Sequence, residues 1–334
     1  MFIQNAWYAA ALSGEVKREP FARTILNEKI VMYRTSANQV VALEDRCPHR
    51  QVPLSRGRLI GDELQCWYHG LRYDCSGACV GIPSQSTIPK GAQVRAFPAA
   101  ERYGFIWLWT GDPNLADVGA IPNHWVCSAP ELAGTMSYCT IACNFLFGID
   151  NILDISHAAF VHTKTLGSLD IVRTQPEIEI HDDEVRVRRH LRREKTPPMY
   201  AQILKLDYID RFQDVLFWPV GNTRVETRAH ACDDSNGKVF HVYTTTIFTP
   251  ATDVTSHVFV GMHRDFDVNN QRFTDFTAKE VFATVMEDKD VAESLQANWS
   301  PTAPMIDIHL DRPAFAARRI LERMGANTAI RSHA

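Results

Sequence analysis

The chain has 334 residues, 45% of them hydrophobic and 22% charged, with 35 Lys plus Arg against 39 Asp plus Glu and a formal net charge of −4. The length suggests two domains, the near-balanced charge gives no footing for nucleic acid or an anionic membrane as partner, and no apolar run approaches the ~18 residues of a membrane span. The opening Met1-Phe2-Ile3-Gln4-Asn5-Ala6-Trp7-Tyr8 lacks the charged start and long apolar core of an export signal, so a cytoplasmic protein is expected, its eight cysteines free or metal-bound rather than paired.

Residues 1 to about 115 read as β structure. Lys29-Ile30-Val31-Met32-Tyr33-Arg34, Val40-Val41-Ala42-Leu43 and Phe105-Ile106-Trp107-Leu108-Trp109 are short β-rich runs bounded by Asn, Ser and Gly. Many short strands with frequent turns suggest a small sandwich or barrel. Within this region lie Cys47-Pro48-His49 and, after sixteen intervening residues, Cys66-Trp67-Tyr68-His69. Two thiolates and two imidazoles serve either a structural Cys2His2 zinc site or a Rieske [2Fe–2S] cluster, in which the cysteines hold one iron and the histidines the other. Zinc fingers usually group Cys with Cys and His with His, and carry the histidines on a helix. Here each loop mixes the two types and no helix is evident, which favours the Rieske reading. Cys75 and Cys79 are surplus to four ligands and read as small buried or turn residues around a hairpin turn at Gly77.

A connector rich in Pro, Asn and Gly follows between about 115 and 140, and the helical stretch from Asn144 to about Phe160 opens the second half. Within it, Asn151, Asp154 and His157 fall at i, i+3, i+6, on one side of a helix, among residues apolar enough to be buried. His162 lies five residues past His157, about 140° further round at helical pitch. A regular helix cannot aim both rings at one point, so if they share a metal the helix must end, loosen or bulge between them. Taken alone, the stretch equally fits a core helix with two hydrogen-bonded histidines.

From about 177 to 263 the pattern alternates again, with strands at 177–180, 184–188, 239–248 and 256–262. With flanking helices this makes an α+β domain with room for a pocket. His230, His241 and His257 lie on or near these strands. His241 and His257 are candidate substrate-orienting residues, although ordinary core or strand histidines fit the pattern at least as well. Two helices close the chain, Asn269 to about Asn298 and about Pro313 to Met324, with Gly325 as the expected stop.

A two-His site for non-haem Fe(II) needs one carboxylate. Val281, Val285, Asp288, Val291, Ala292 and Leu295 recur at helical spacing, so Asp288 lies on the apolar stripe, where an aspartate needs a partner. Asp290 is the runner-up, on a more polar side. Glu287, Lys289, Asp290 and Glu293 fit a solvated helix face.

Cys47-Pro48-His49-Arg50 with Cys66-Trp67-Tyr68-His69-Gly70 resembles the cluster motif of Rieske non-haem iron ring-hydroxylating oxygenases, and the stretch 150–162 is similar to that family's mononuclear iron motif. The similarity extends to Asn5-Ala6-Trp7-Tyr8, to Glu101-Arg102-Tyr103-Gly104-Phe105-Ile106-Trp107 and, more weakly, to Arg318-Arg319-Ile320-Leu321-Glu322-Arg323. It points to the branch containing the oxygenase components of vanillate and dicamba O-demethylases and toluenesulfonate methyl-monooxygenase. The resemblance implies an N-terminal all-β Rieske domain (1–115) followed by a helix-grip-like catalytic domain (116–334). It implies a [2Fe–2S] cluster on Cys47, His49, Cys66 and His69, and Fe(II) on His157, His162 and Asp288. Asn151 matches a position beside the iron. Asp154 matches the aspartate that links a cluster histidine of one subunit to an iron histidine of its neighbour in a head-to-tail homotrimer. Nothing marks a nicotinamide or flavin site, so electrons from NAD(P)H are expected through a separate flavin and iron–sulfur reductase. The implied reaction is O2-dependent monooxygenation, O-demethylation or methyl hydroxylation, of a small aromatic acid. The alternatives are a cis-dihydroxylating oxygenase or a non-catalytic Rieske electron carrier.

Overall fold

Alternating apolar residues and tight turns set the architecture of the first part of the chain. In this computed structural model, which describes residues 2–232 and 239–331, the chain divides into two units. Unit 1 is Met1–Ile121 with Thr249–Asp253, and unit 2 is Pro122–Phe248 with Val254–Ala334.

Unit 1 holds ten strands: β1 (Ala6–Leu12), β2 (Phe21–Ile25), β3 (Glu28–Arg34), β4 (Val40–Glu44), β5 (Arg58–Ile60), β6 (Glu63–Gln65), β7 (Arg72–Tyr73), β8 (Cys79–Gly81), β9 (Ala99–Arg102) and β10 (Phe105–Thr110). They form three small sheets, β1-β10-β9, β2-β3-β4 and β5-β6-β7-β8, with antiparallel pairing. The turn from β7 to β8 closes on Gly77, whose φ of +83° is open to glycine and whose N–H donates to the Asp74 carbonyl at 3.0 Å. One core of this unit gathers Val31, Tyr33, Leu43, Leu54, Leu64 and Tyr73, and the thiols of Cys47 and Cys66 sit in it.

Among the described residues, unit 2 is built on seven strands, β11 (Ala133–Ile141), β12 (Glu177–Ile180), β13 (Val185–Lys195), β14 (Tyr208–Trp218), β15 (Asn222–Ala231), β16 (Phe240–Thr252, its end counted with unit 1) and β17 (Thr255–Arg264). Their order is β11-β17-β16-β15-β14-β13-β12, an antiparallel sheet. The helices are α1 (Phe145–Leu153), α2 (Ala158–Val161), α3 (Asp170–Arg173), α4 (Pro198–Leu204), α5 (Gln271–Asn298) and α6 (Arg312–Arg331). The 28-residue α5 starts where the Asn270 side chain accepts from Phe273 N at 3.1 Å, and it packs on β11 and β17. Its Val281 and Val285 join Met199, Tyr200, Phe240, Val260 and Met262 in one core. Burying each such side chain contributes about 1.5–3 kcal/mol.

Three expectations change. Residues 135–138, read as connector, lie inside β11. The last helix runs through Gly325 to Arg331. On α5 the buried stripe is Val281, Val285 and Ala292, while Val291 and Leu295 are 39% and 40% exposed.

Candidate metal centres

In unit 1, Cys47 and Cys66 are buried, 1% and 2% exposed, and neither forms a disulfide. Their loops put the rings of His49 and His69 on the surface with centroids 4.5 Å apart. Burial raises the Cys66 thiol's pKa, and the backbone N–H groups of Tyr68 and His69, turned toward that sulfur, lower it. The Tyr73 hydroxyl lies 3.2 Å from Cys47 Sγ. The surplus Cys79 is buried and Cys75 exposed. A single tetrahedral zinc would bring all four ligand atoms within about 4 Å of one another. Among the described residues, the only metal-type group with every ligand atom within 4.8 Å of the others is a different one. Two buried thiols and two surface imidazoles that do not converge on one point suit a two-iron cluster, cysteines inward and histidines outward.

That converging group is His157, His162 and Asp288 in unit 2. Asp288 Oδ1 lies 3.3 Å from His157 Nε2 and 3.1 Å from His162 Nε2, and the two Nε2 atoms are 3.2 Å apart. An octahedral face with metal–ligand bonds of about 2.1 Å has edges of about 3.0 Å, so the triangle has the dimensions of the two-His, one-carboxylate face that holds non-haem Fe(II).

The backbone explains how residues five apart converge. The helix does not run from Asn144 to Phe160. α1 stops at Leu153, and Asp154 leaves helical geometry at φ −114°, ψ 82°. Its side chain then accepts from Ser156 N at 3.0 Å and caps a single 3-10 turn, Ile155–His157. α2 follows, and His162 stands beyond it at φ −98°, ψ 39°. Asn151, Asp154 and His157 therefore do not share one helix face, and between the two histidines the backbone passes from a 3-10 turn to a single α turn that ends at Val161.

Both rings are held from behind. His157 Nδ1 lies 2.6 Å from the Asp154 carbonyl, to which it can only donate, leaving Nε2 with its lone pair toward the triangle. His162 Nδ1 is 2.8 Å from Glu287 Oε2 and so presents Nε2 in the same way. Asn151 Nδ2 donates to Asp288 Oδ1 at 3.2 Å. Burial works to raise the Asp288 pKa, yet His157 and His162 outweigh it and hold the carboxyl at about 2. Burial works to lower that of His162, and Asp288 with Glu287 reverse the sign. The triangle thus favours positive charge at its centre.

Asp154 orients His157 through its carbonyl. Its carboxylate caps the turn and faces the buried Arg189, with Nη2 at 3.8 Å. Asp290 is exposed. His241 and His257 do not line the cavity at the triangle. His241 is held between Glu226 (3.0 Å) and Asp265 (2.8 Å), and His257 Nδ1 pairs with the Tyr138 hydroxyl at 2.8 Å. His230 Nδ1 lies 2.9 Å from the Ala231 carbonyl.

The cavity, about 110 Å³, is walled mainly by apolar side chains such as Ile155, Leu166, Met199, Val225, Val260 and Val285. Arg211, Gln213, Thr227, Thr244 and Thr246 also line it. Arg211 Nη2 donates to Glu194 Oε1 at 2.6 Å, and both side chains are buried. Burial raises the Glu194 pKa, and Arg211 and the Ser168 hydroxyl act against it. Sequence reasoning named neither Arg211 nor Gln213. The available signal was a cation and an amide at inward positions of an alternating strand.

Residues 6–98 match the Rieske [2Fe–2S] domain, and residues 141–327 match the vanillate O-demethylase oxygenase C-terminal domain. The chain belongs to the vanillate O-demethylase family of Rieske oxygenases. It is 34% identical to a putative toluene-4-sulfonate monooxygenase system iron-sulfur subunit of Comamonas testosteroni, over 97% of each chain. It is 34% identical to the dicamba O-demethylase oxygenase component of Stenotrophomonas maltophilia over 88% of each. A vanillate O-demethylase oxygenase subunit from a Pseudomonas species is 31% identical over 97% of this chain and 95% of its own. The crystal structure of dicamba monooxygenase bound to 3,6-dichlorosalicylic acid superposes with a TM-score of 0.91 at 31% identity, covering 98% of this chain and 99% of that one. As a Rieske oxygenase component, the chain is an oxidoreductase that uses a [2Fe–2S] cluster and a mononuclear iron, with electrons delivered by a separate reductase. Membership sets aside the zinc module and the non-catalytic carrier, and relatives named monooxygenases and demethylases favour monooxygenation over cis-dihydroxylation. No helix among the described residues is long and apolar enough to cross a membrane.

Proposed function

We propose that this protein monooxygenates a methyl or methoxy group on a small anionic aromatic compound. The observation that carries this reading is the triangle of His157, His162 and Asp288 in the wall of an apolar cavity. On this reading Cys47, His49, Cys66 and His69 hold the [2Fe–2S] cluster, and His157, His162 and Asp288 hold Fe(II). When bound, the two groups supply single electrons and O2 activation. The protein's own residues do the rest. The Asp154 carbonyl and Glu287 fix the two imidazole tautomers, Asn151 steadies Asp288, and the apolar wall keeps water from the reacting carbon. Oxygen inserted into a methoxy C–H gives a hemiacetal, which collapses to formaldehyde and a phenol. A head-to-tail homotrimer, with Asp154 linking one subunit's cluster to its neighbour's iron, completes the proposal; the family resemblance and the position of Asp154 beside His157 support it.

The test is a single turnover. Purified iron-replete protein is chemically reduced and mixed once with O2 and a panel of methoxy- and methyl-substituted benzoates and sulfonates, and product mass is read. A demethylated or singly hydroxylated product is expected. A product with two added oxygens and lost aromaticity would replace this reading with cis-dihydroxylation.

A further inference from the structure

A second, smaller cavity adjoins the metal triangle. Two helices each turn one face toward it. α1 contributes Gly148, Asn151 and Ile152, and α5 contributes Val285, Asp288 and Ala292, both sets at spacings of three and four. β16 adds Thr246 and Phe248, two residues apart and so on one side of the strand, and Ile141 and Val258 close the space from β11 and β17. Ile141, Phe248, Val258 and Ala292 are all buried. Small residues leave the room. The Phe248 ring lies against Gly148, where a Cβ would stand 2.3 Å from its Cε1, and Ala292 offers only a methyl group. Ile152, Thr246, Val285 and Asp288 line both cavities and so form the partition between them.

Size, polarity and position decide what the smaller cavity takes. At about 30 Å³ it exceeds the about 10–15 Å³ that one water requires, and it is too small for an aromatic ring, which has the cavity of about 110 Å³. A buried water wants two to four polar partners. Here the lining is mostly hydrocarbon, the Asn151 amide already donates to Asp288 Oδ1, and that oxygen faces both histidines of the triangle. A small apolar molecule needs no hydrogen bond and gains by leaving water. The reaction has such a reactant besides the aromatic. His157 and His162 line only the larger cavity, while Asp288 borders both. With an aromatic in the larger cavity, the triangle can still be reached past Asp288.

We infer that the small cavity beside Asp288 is a holding site for molecular oxygen, which reaches the triangle past Asp288 while the aromatic occupies the larger cavity. The inference rests on the oxygenase function given above and adds to it a separate place for the second reactant.

The experiment uses xenon as an apolar probe. Crystals of the iron-loaded protein are pressurised with the gas and its anomalous scattering is mapped. Xenon is expected in the small cavity of the native protein and absent from it in Ala292→Val and in Val258→Ile, each of which adds methyl groups to the lining. An ordered water in the native cavity, or no xenon there, would overturn the site. Stopped-flow mixing of the reduced protein with graded O2, with the methoxy- and methyl-substituted panel present, then gives the bimolecular rate constant for cluster reoxidation per bound Fe(II). That constant is expected to fall about threefold or more in each variant whose cavity the crystal shows filled, a loss in kcat/KM for oxygen. An unchanged constant in a filled variant would make the cavity a packing gap without a role. The reaction is judged separately by product mass. Xenon binding and slowed reoxidation without methyl oxidation keep the oxygen site and remove the substrate reading; methyl oxidation with an empty cavity or an unchanged constant does the reverse.

Discussion

The two histidines of the triangle are oriented by different acceptors, one a carbonyl of its own turn and the other a carboxylate on α5. The difference makes them separable by mutation. Glu287→Ala strips the partner from His162 Nδ1 and is expected to weaken Fe(II) binding by about 10–100-fold with the fold intact, the usual range for such supporting partners. Titration with Fe(II) against a competing chelator measures it, and an unchanged affinity would mean the Glu287 contact holds nothing. Asp154→Asn should behave otherwise. Asparagine keeps the backbone carbonyl that holds His157 and a side-chain oxygen for the Ser156 cap, and it loses only the charge facing Arg189. Both metals are expected to stay while turnover falls about 100-fold. Iron content, the cluster's EPR signal and single-turnover product distinguish the outcomes, and full activity would remove the proposed link through Asp154. At this scale the ligand types were legible because Cys-x-His, Cys-x-x-His and a lone Asp on an apolar stripe each require a partner. Glu287 was not, since a run of charges on a helix carries no mark of which one turns toward a neighbouring ring.

Between the elements, geometry did more than propensity. The five-residue spacing of His157 and His162 demanded a helix break between them, and the structure has one: the 3-10 turn ending at His157 passes into a single α turn that stops at Val161, and a further break at Asp154, which caps the 3-10 turn, precedes both. The strands β14 and β15, which contribute Arg211, Gln213, Val225 and Thr227 to the cavity wall, fall in the alternating region but carry Arg, Gln, Glu and Thr at many positions, so a hydrophobicity pattern does not single them out. Gly325 failed as a helix stop because one interior glycine costs only about 1 kcal/mol, too little to end α6. The His157–His162 turn itself depends on a different glycine. Gly167 N–H donates to the His162 carbonyl at 2.8 Å, and a Cβ at Gly167 would stand 2.1 Å from the Ala158 carbonyl oxygen. Backbone cannot yield there as a flexible side chain could. Gly167→Ala is expected to destabilise unit 2 by about 1–3 kcal/mol and to displace the turn. Urea unfolding gives the first quantity and Fe(II) occupancy the second; an alanine variant with native stability and full iron would show that the turn adapts.

For the whole molecule, each candidate metal site draws on residues of a single unit, so each motif could be read without the other. The boundary was less accessible. Thr249–Asp253 belongs with unit 1, where Leu26 N and Asn27 N bond the Pro250 and Ala251 carbonyls at 3.0 and 2.8 Å, and no local pattern announces a contact across more than two hundred residues. Stability is likewise a property of the whole chain, and its dependence on pH passes through buried histidines the chemistry does not use. Burial pushes His263 down to about 4 from an ordinary 6.5, and its Nδ1 is buried without a partner among the described residues. A folded-state pKa below the unfolded one stabilises the fold above pH ~6.5, and that contribution drains away as pH falls toward 4, because only the unfolded chain takes up the proton. His241 works in the opposite sense, raised by Glu226 against burial, with Asp265 adding to the rise, so the total profile mixes both signs. A difference measurement isolates His263. The stability of the native protein minus that of His263→Gln is expected to fall by about 1.4 kcal/mol per pH unit between pH 6 and 4.5, one proton's worth. Urea unfolding of both proteins across that range gives the slope, and a difference that stays flat would place the His263 proton in the folded state and make its burial electrostatically silent.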